Sequence, residues 1–256
     1  MDNDSPDSVS RGDLIQILAD SETPSTVIKQ DQRSRVTVVD SLGSQWIVKT
    51  YNIQPAKRFL YGLVNLTPAL REARGSRLLY KSGIRCARIS GVIWHQDKHT
   101  HESIIMPMIP GNTMPLYLQG TTPSYDTATR RQRAVIATAI GQQVGRMIAS
   151  NIVNRDLKPS NLMLDEQALT GQAAPVILDP AGVSRRRSDS QTYRMIARLH
   201  HSVNLVAPAS RTEVIRCLNA ILIAANLMST DSPKADRHRT IRRWIRRIES
   251  ATASLR

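Results

Sequence analysis

Ile152-Val153-Asn154-Arg155-Asp156-Leu157-Lys158-Pro159-Ser160-Asn161-Leu162 is the stretch that decides how this chain is to be read. An apolar pair leads into a polar loop that carries a carboxylate, an ammonium two residues later and a primary amide five residues later. Leu162-Met163-Leu164 then follows as a short apolar strand. Upstream, Ala134, Ile136, Ile140, Val144 and Ile148 recur at helical spacing and predict a long helix over 127–150. Downstream, a strand over 175–178 delivers Asp179, followed by Pro180-Ala181-Gly182. A lone loop carboxylate is usually a solvated turn; a long helix before it and strands after it argue for a built site.

The loop resembles the catalytic loop of the eukaryotic protein-kinase superfamily, H-R-D-x-x-x-x-N, with Asn154 in place of the histidine. The resemblance implies phosphotransfer from ATP, with Asp156 as the catalytic carboxylate that orients the acceptor hydroxyl and takes its proton. Lys158 is the second catalytic candidate, within reach of the transferring phosphoryl group, and Asn161 is implied as a ligand of Mg²⁺. Asn154 keeps a hydrogen-bond donor where the histidine would stand. The segment 176–182 resembles the metal-binding D-F-G segment with one extra residue before its glycine. It implies Asp179 as the other Mg²⁺ ligand, a hard oxygen for a hard cation. The gap from Asn161 to Asp179 is long for that family and predicts an extended turn over 167–174.

The N-terminal half has β-like runs at 26–29, 36–40 and 46–51 and a helical stretch at 67–82, then β-like runs at 91–95 and 103–108. That is the element order of the small lobe of a kinase. Trp46-Ile47-Val48-Lys49 resembles the V-A-I-K strand, which implies that Lys49 contacts the nucleotide phosphates and is held by a glutamate of the following helix. Glu72 is the only acidic residue in 67–82; its alternative role is a solvated carboxylate among Arg71, Arg74 and Arg77. The segment 29–36 between the first two strands contains no glycine, so close backbone approach to phosphates is not provided for. Arg33 and Arg35 are the side-chain substitutes. Met106 and Met108, in the last strand, complete the nucleotide-binding candidates. The glycine-free loop also keeps a non-catalytic pseudokinase scaffold open.

Pro110-Gly111 punctuates the chain as a hinge. The expected fold is α+β and two-lobed, protein-kinase-like. It comprises a loosely packed polar tail over 1–24, a small antiparallel-sheet lobe with one helix over 25–110, and a mainly helical lobe over 111–256. Within the tail only Leu14 to Leu18 hint at a short helix. No A-P-E segment follows Gly182. Over 25–256 the chain resembles the lipopolysaccharide core heptose kinase and Kdo kinase family. The resembling stretches are Arg71-Glu72-Ala73 through Leu79, Ser82-Gly83-Ile84-Arg85, Ala197-Arg198-Leu199-His200-His201-Ser202, and Ser210 through Leu218. The resemblance implies a sugar hydroxyl on a membrane glycolipid, phosphorylated at the cytoplasmic face. Asp156-Leu157-Lys158-Pro159-Ser160-Asn161 keeps a Ser/Thr protein kinase as the rival enzyme.

The net charge of +14 is carried by 28 arginines against 7 lysines. Guanidinium suits bidentate phosphate recognition and predicts anionic partners, unless it only reflects base composition of the genome. One Phe, six Tyr and three Trp leave few stacking platforms, which argues against nucleic acid. Ile241, Trp244, Ile245 and Ile248 share one helical face, surrounded by Arg239, Arg242, Arg243, Arg246 and Arg247. That pattern fits peripheral contact with an anionic membrane, or more simply a core-packed helix with a solvated rim. His95, His99 and His101 fall in an expected turn with no fourth metal ligand. Cys86 and Cys217 match neither a disulfide framework nor a metal motif, and a reducing cytoplasmic setting is the default. The apolar stretch 217–228 is too short to span a bilayer, and the first 20 residues hold no apolar signal region.

Overall fold

The computed structural model describes residues 9–22, 26–53, 67–95, 101–119 and 130–253. The chain divides into two compact units, Met1–Arg77 with Ala87–Ile109, and Leu78–Cys86 with Pro110–Arg256.

In the first unit, β1 (Thr26–Gln30), β2 (Ser34–Ser41), β3 (Ser44–Asn52), β4 (Gly91–Trp94) and β5 (His101–Pro107) form one antiparallel sheet in the order β1-β2-β3-β5-β4. Successive strand residues face opposite sides. Trp46 and Val48, paired with Pro107 and Ile105, therefore point to one face, and Lys49 and Tyr51, paired with Ile104 and Glu102, to the other. Helix α1 (Arg11–Asp20) covers the first face, burying Ile17 completely against Val39, Trp46, Val48 and Ile105. Helix α2 (Pro68–Lys81) meets the second face through Glu72. The loosely packed tail expected over 1–24 is corrected at 11–20, where the short helix hinted at by Leu14 to Leu18 forms and adds a second helix to the one expected in this lobe. Its stripe of Leu14, Ile17 and Leu18 is started by a reciprocal Ser10–Asp13 capping box. Residues 1–8 and 23–24 of that expected tail lie outside the described residues.

The second unit begins its main run with β6 (Asn112–Thr113), α3 (Met114–Leu118), α4 (Arg130–Ala149) and β7 (Ile152–Asn154). A 3-10 turn (Pro159–Asn161), β8 (Leu162–Leu164), α5 (Glu166–Thr170), β9 (Val176–Ile177), a second 3-10 turn (Pro180–Gly182) and β10 (Val183–Arg185) follow. Helices α6 (Asp189–Val206), α7 (Arg211–Ala224) and α8 (Lys234–Ala253) complete it. The expected start of α4 at 127–129 lies outside the described residues. The extended turn expected at 167–174 is in part helical. Asp165 caps α5 by accepting from the Ala168 N–H, and Gly171 closes it in the left-handed region.

Helices α4 and α7 approach backbone to backbone. A methyl group on Gly141 would stand 2.4 Å from the Cys217 carbonyl oxygen, and one on Gly145 would stand 2.6 Å from that of Ile221. On α8, Ile241 and Ile248 are buried and Trp244 and Ile245 partly so within the helical core, while the five arginines of its rim are exposed. The apolar face of α8 is thus turned to the helical core, as the simpler reading of this helix expects, and its arginine rim stays exposed. Residues 78–86, expected in the first lobe, belong to the second unit. Leu79 and Ile84 enter its core, and Arg85 pairs with Asp165. Among the described residues no helix is long and apolar enough to cross a membrane.

Candidate active site

The loop after β7 is built around Asp156. The Asn154 side-chain oxygen accepts the Asp156 N–H at 2.9 Å, an Asx turn that folds the chain back on itself. Asn154 is fully buried, and its role here is that of acceptor, where the sequence suggested a donor. The Asp156 carboxylate is half exposed and receives two donors from its own loop: Lys158 Nζ at 3.1 Å and Asn161 Nδ2 at 3.2 Å. Asn161 Nδ2 also donates to the Asp156 carbonyl at 3.0 Å, which ties both ends of the loop together. Both N–H bonds of the amide are thus directed at Asp156, and its oxygen remains as a donor atom for a cation.

Asp179 is delivered by pairing of β8 with β9, Leu162 opposite Ile177 and Met163 opposite Val176. The Leu178 N–H donates to the Asn161 carbonyl at 3.0 Å, so Asp179 follows one residue after the strand has been fastened to Asn161. The insertion in Pro180-Ala181-Gly182 is accommodated as a 3-10 turn that Asp179 itself caps, accepting the Ala181 N–H at 3.2 Å. Gly182 returns to the loop, its carbonyl accepting the Arg155 N–H at 3.0 Å, and β10 then pairs antiparallel with β7. Asn161 and Asp179 are therefore neighbours despite the residues between them. Their amide and carboxylate oxygens are the hard donor set Mg²⁺ takes, which uses one or two carboxylates and fills its remaining positions with phosphate oxygens and water.

In the first unit Lys49 Nζ lies 2.8 Å from Glu72 Oε2. Glu72 is fully buried while Arg71, Arg74 and Arg77 on the same helix are exposed, which decides against a solvated carboxylate. The Tyr51 hydroxyl donates to the same Glu72 oxygen, and Lys49 Nζ stands 5.0 Å from the centre of the Tyr51 ring. Tyr51 was missed in the sequence; two residues after Lys49 on a strand, it had to share the lysine's face.

The turn at Arg33 is held by its own carboxylate. Asp31 Oδ1 accepts the N–H groups of Arg33 and Ser34, each at 2.8 Å, and these two bonds hold the Asp31 carboxyl below the ordinary carboxylate range. The donors a glycine-rich loop would offer to phosphate are thus already engaged. The Arg33 and Arg35 side chains are exposed. Met106 is buried in β5, whereas Met108 is exposed just beyond it and donates its N–H to the Gln45 carbonyl at 2.9 Å. His95 Nε2 is 2.8 Å from the Ser103 hydroxyl, and His99 lies outside the described residues. Among the described residues no group of three His, Cys, Asp or Glu side chains could hold a metal ion.

No family profile matches the sequence, and no curated protein matches it either. Solved structures do match. A complex of WaaP with acyl carrier protein aligns with a TM-score of 0.61 at 15% identity, covering 93% of this chain and 92% of that one. The BubR1 kinase domain aligns with a TM-score of 0.50 at 10% identity, covering 90% of this chain and 79% of that one. The chain has the protein-kinase-like fold.

Proposed function

We propose that this chain is an ATP-dependent phosphotransferase that moves the γ-phosphate to a hydroxyl on a lipopolysaccharide core sugar or similar glycolipid. The observation that carries it is the convergence of Lys158 and Asn161 on the Asp156 carboxylate, with Asp179 fastened beside Asn161. Asp156 accepts the hydrogen bond of the attacking hydroxyl and takes its proton as the new O–P bond forms, while the bond from the γ-phosphorus to the β–γ bridging oxygen of ATP breaks and ADP leaves. Lys158 offsets negative charge on the phosphoryl group in flight. Asn161 and Asp179 would hold Mg²⁺, which supplies neutralisation of phosphate charge. Lys49, oriented by Glu72 and Tyr51, binds nucleotide phosphates, Arg33 and Arg35 add side-chain contacts, and Met106 and Met108 contact the nucleotide. Positioning and electrostatics supply most of the rate in such chemistry. Incubation with labelled ATP, extracted glycolipid and, in parallel, a panel of proteins tests this. Label should enter the glycolipid and vanish on chelation of Mg²⁺; labelling of protein Ser or Thr alone would favour a protein kinase.

The acyl carrier protein in the WaaP complex extends the proposal. The helical unit contains a cavity of about 1030 Å³ lined by Leu118, Ile140, Leu199, Ile221, Ile241 and Ile248 among others, with Arg133, Arg211 and Arg242 also at its walls. Arg133 is held by Glu213 at 2.7 Å, but apolar walls with the guanidinium groups of Arg211 and Arg242 suit an acyl chain with a polar head, and an acylated carrier protein is the partner we assign to it. Binding of purified acyl carrier protein should strengthen when it is acylated; equal binding of both forms would remove the cavity from the interaction.

A pseudokinase scaffold is the second reading, favoured by the capture of the Arg33 and Ser34 N–H groups by Asp31. Nucleotide thermal-shift measurements with and without Mg²⁺ separate the two. A Mg²⁺-dependent rise supports the enzyme, and no shift at any nucleotide concentration supports the scaffold.

A further inference from the structure

The network around Lys49 includes a second buried carboxylate that the phosphotransfer chemistry does not use. Glu102 on β5 is fully buried and lies opposite Tyr51, on the sheet face that carries Lys49. Its Oε1 accepts the backbone N–H of Ala69 at 2.8 Å. Ala69 is the second residue of α2, where helical N–H groups have no partner within the helix. The rest of that turn is accounted for. Pro68 has no N–H, Leu70 donates to the Thr67 hydroxyl at 3.3 Å, and Arg71 donates to the Thr67 carbonyl at 2.9 Å. The first turn of α2 has no acidic residue of its own, so Glu102 supplies from the sheet the acceptor that this helix N-terminus lacks.

Ala69 and Glu72 are three residues apart and share one face of α2. That face is fastened twice to the sheet, at Ala69 by Glu102 and one turn later at Glu72 by Lys49 and Tyr51. With the first fastening removed, α2 is free to roll or fray at its start, and Glu72 lies within its first six residues. Burial raises the Glu102 carboxyl above its ordinary range, with the Ala69 N–H, Thr67 and Arg71 drawing it back down.

We propose that Glu102 is a positioning residue, which pins the N-terminus of α2 to β5 and so holds Glu72 where it orients Lys49. The proposal rests on the phosphotransferase reading for its catalytic consequence alone; the pin has a readout of its own.

That readout is the rate of amine acetylation at Lys49, followed by mass spectrometry in the full chain. It is measured relative to exposed Lys234, well below the melting temperature of each variant. Glu102→Met removes the acceptor at similar volume and should raise the relative rate at Lys49 about tenfold, the shift expected from one lost buried hydrogen bond. Glu102→Gln keeps an acceptor for Ala69 and should stay within about twofold of the wild type. Ile17→Ala loosens the opposite face of the sheet and should lower the melting temperature without exposing Lys49. An unmoved Lys49 in Glu102→Met, or an equal rise in Ile17→Ala, overturns the pin. Where Glu102→Met does not fold, hydrogen exchange in the wild type decides. An Ala69 amide as protected as Val48 supports the pin, and one that exchanges at the rate of a frayed end overturns it. In a phosphotransfer assay kcat/KM should fall in Glu102→Met and recover in Glu102→Gln. If the wild type transfers no phosphate while Lys49 follows this pattern, the pin stands and the phosphotransferase reading falls.

Discussion

Gly182 touches Asp156 backbone to backbone. A methyl group on the Gly182 α-carbon would stand 2.8 Å from the Asp156 nitrogen, 3.2 Å from its Cβ and 2.7 Å from the Asn154 side-chain oxygen. All three atoms belong to the Asx turn that presents the Asp156 carboxylate. Gly182→Ala must therefore displace that turn or the strand beside it. Misplacement of a reacting group by about 1 Å can cost on the order of 10²-fold in rate, and overpacking costs about 1–3 kcal/mol. Phosphotransfer should fall by at least about tenfold, with a modest drop in melting temperature; wild-type turnover in a folded variant would dissociate this contact from catalysis.

Asp156→Asn keeps the shape of the loop and removes the carboxylate proposed as the proton acceptor. A positioned general base is worth about 10²–10⁴-fold, so turnover should drop within that range while nucleotide affinity stays near wild type. Titration with a fluorescent ATP analogue beside a steady-state assay separates the two, and undiminished turnover would move the base elsewhere.

Much of this site was legible because its spacing is local. Asp156, Lys158 and Asn161 lie in one loop, and the donors they form are bonds between residues two and five apart. The Lys49–Glu72 pair was legible by scarcity, since 67–82 holds one acid. Glu102 was not, because its meaning depends on the register of β3 with β5 and on where α2 begins, both set by tertiary packing. Helix α1 was legible only as a hint over Leu14 to Leu18, because acidic neighbours dilute a stripe of three apolar residues. Residues 78–86 fold with the second unit because Leu79, Ile84 and Arg85 find partners far along the chain, which no local window reveals.

Metal dependence should follow Asp179. On the proposed function, Asp179→Ala removes one of the two hard protein donors assigned to Mg²⁺, so Mg²⁺ should no longer strengthen nucleotide binding. Calorimetry with and without Mg²⁺ reads this directly, and an unchanged Mg²⁺ effect in the variant would assign the ion to other ligands. The variant also frees the Ala181 N–H from its cap, at a cost of about 0.5–2 kcal/mol.

Lys49 and Glu72 should show strong coupling in stability. Lys49→Met leaves the Glu72 carboxylate buried with the Tyr51 hydroxyl but without its cation. Breaking a buried pair from one side costs about 3–5 kcal/mol, whereas replacing both partners is often close to neutral. Adding Glu72→Gln to Lys49→Met should therefore restore part of the lost stability in chemical denaturation. Additive losses in the double variant would mean that the pair contributes no mutual stabilisation.

Stability in acid should track Asp165. Burial alone would raise its carboxyl, but the Arg85 guanidinium at 3.0 and 2.5 Å and the Ala168 N–H at 3.0 Å outweigh burial, and the group sits below its ordinary value of 3.8. A carboxyl whose folded value is depressed binds its proton more readily in the unfolded chain. Its contribution is then fully present above the unfolded value and is lost as pH falls through the folded one. Asp165→Asn should lower stability at neutral pH by about 1.5–3 kcal/mol, the range for hydrogen bonds to charged groups. Wild type and variant should converge once the pH falls below both values, because the wild-type carboxyl is then neutral too. The bond also joins residue 85 to the cap of α5, so the loss should appear as earlier unfolding of the second unit, read by hydrogen exchange at Ala168 and Leu169. A stability difference that persists unchanged into strong acid would show that Asp165 acts through packing and helix capping, with its ion pair to Arg85 contributing nothing.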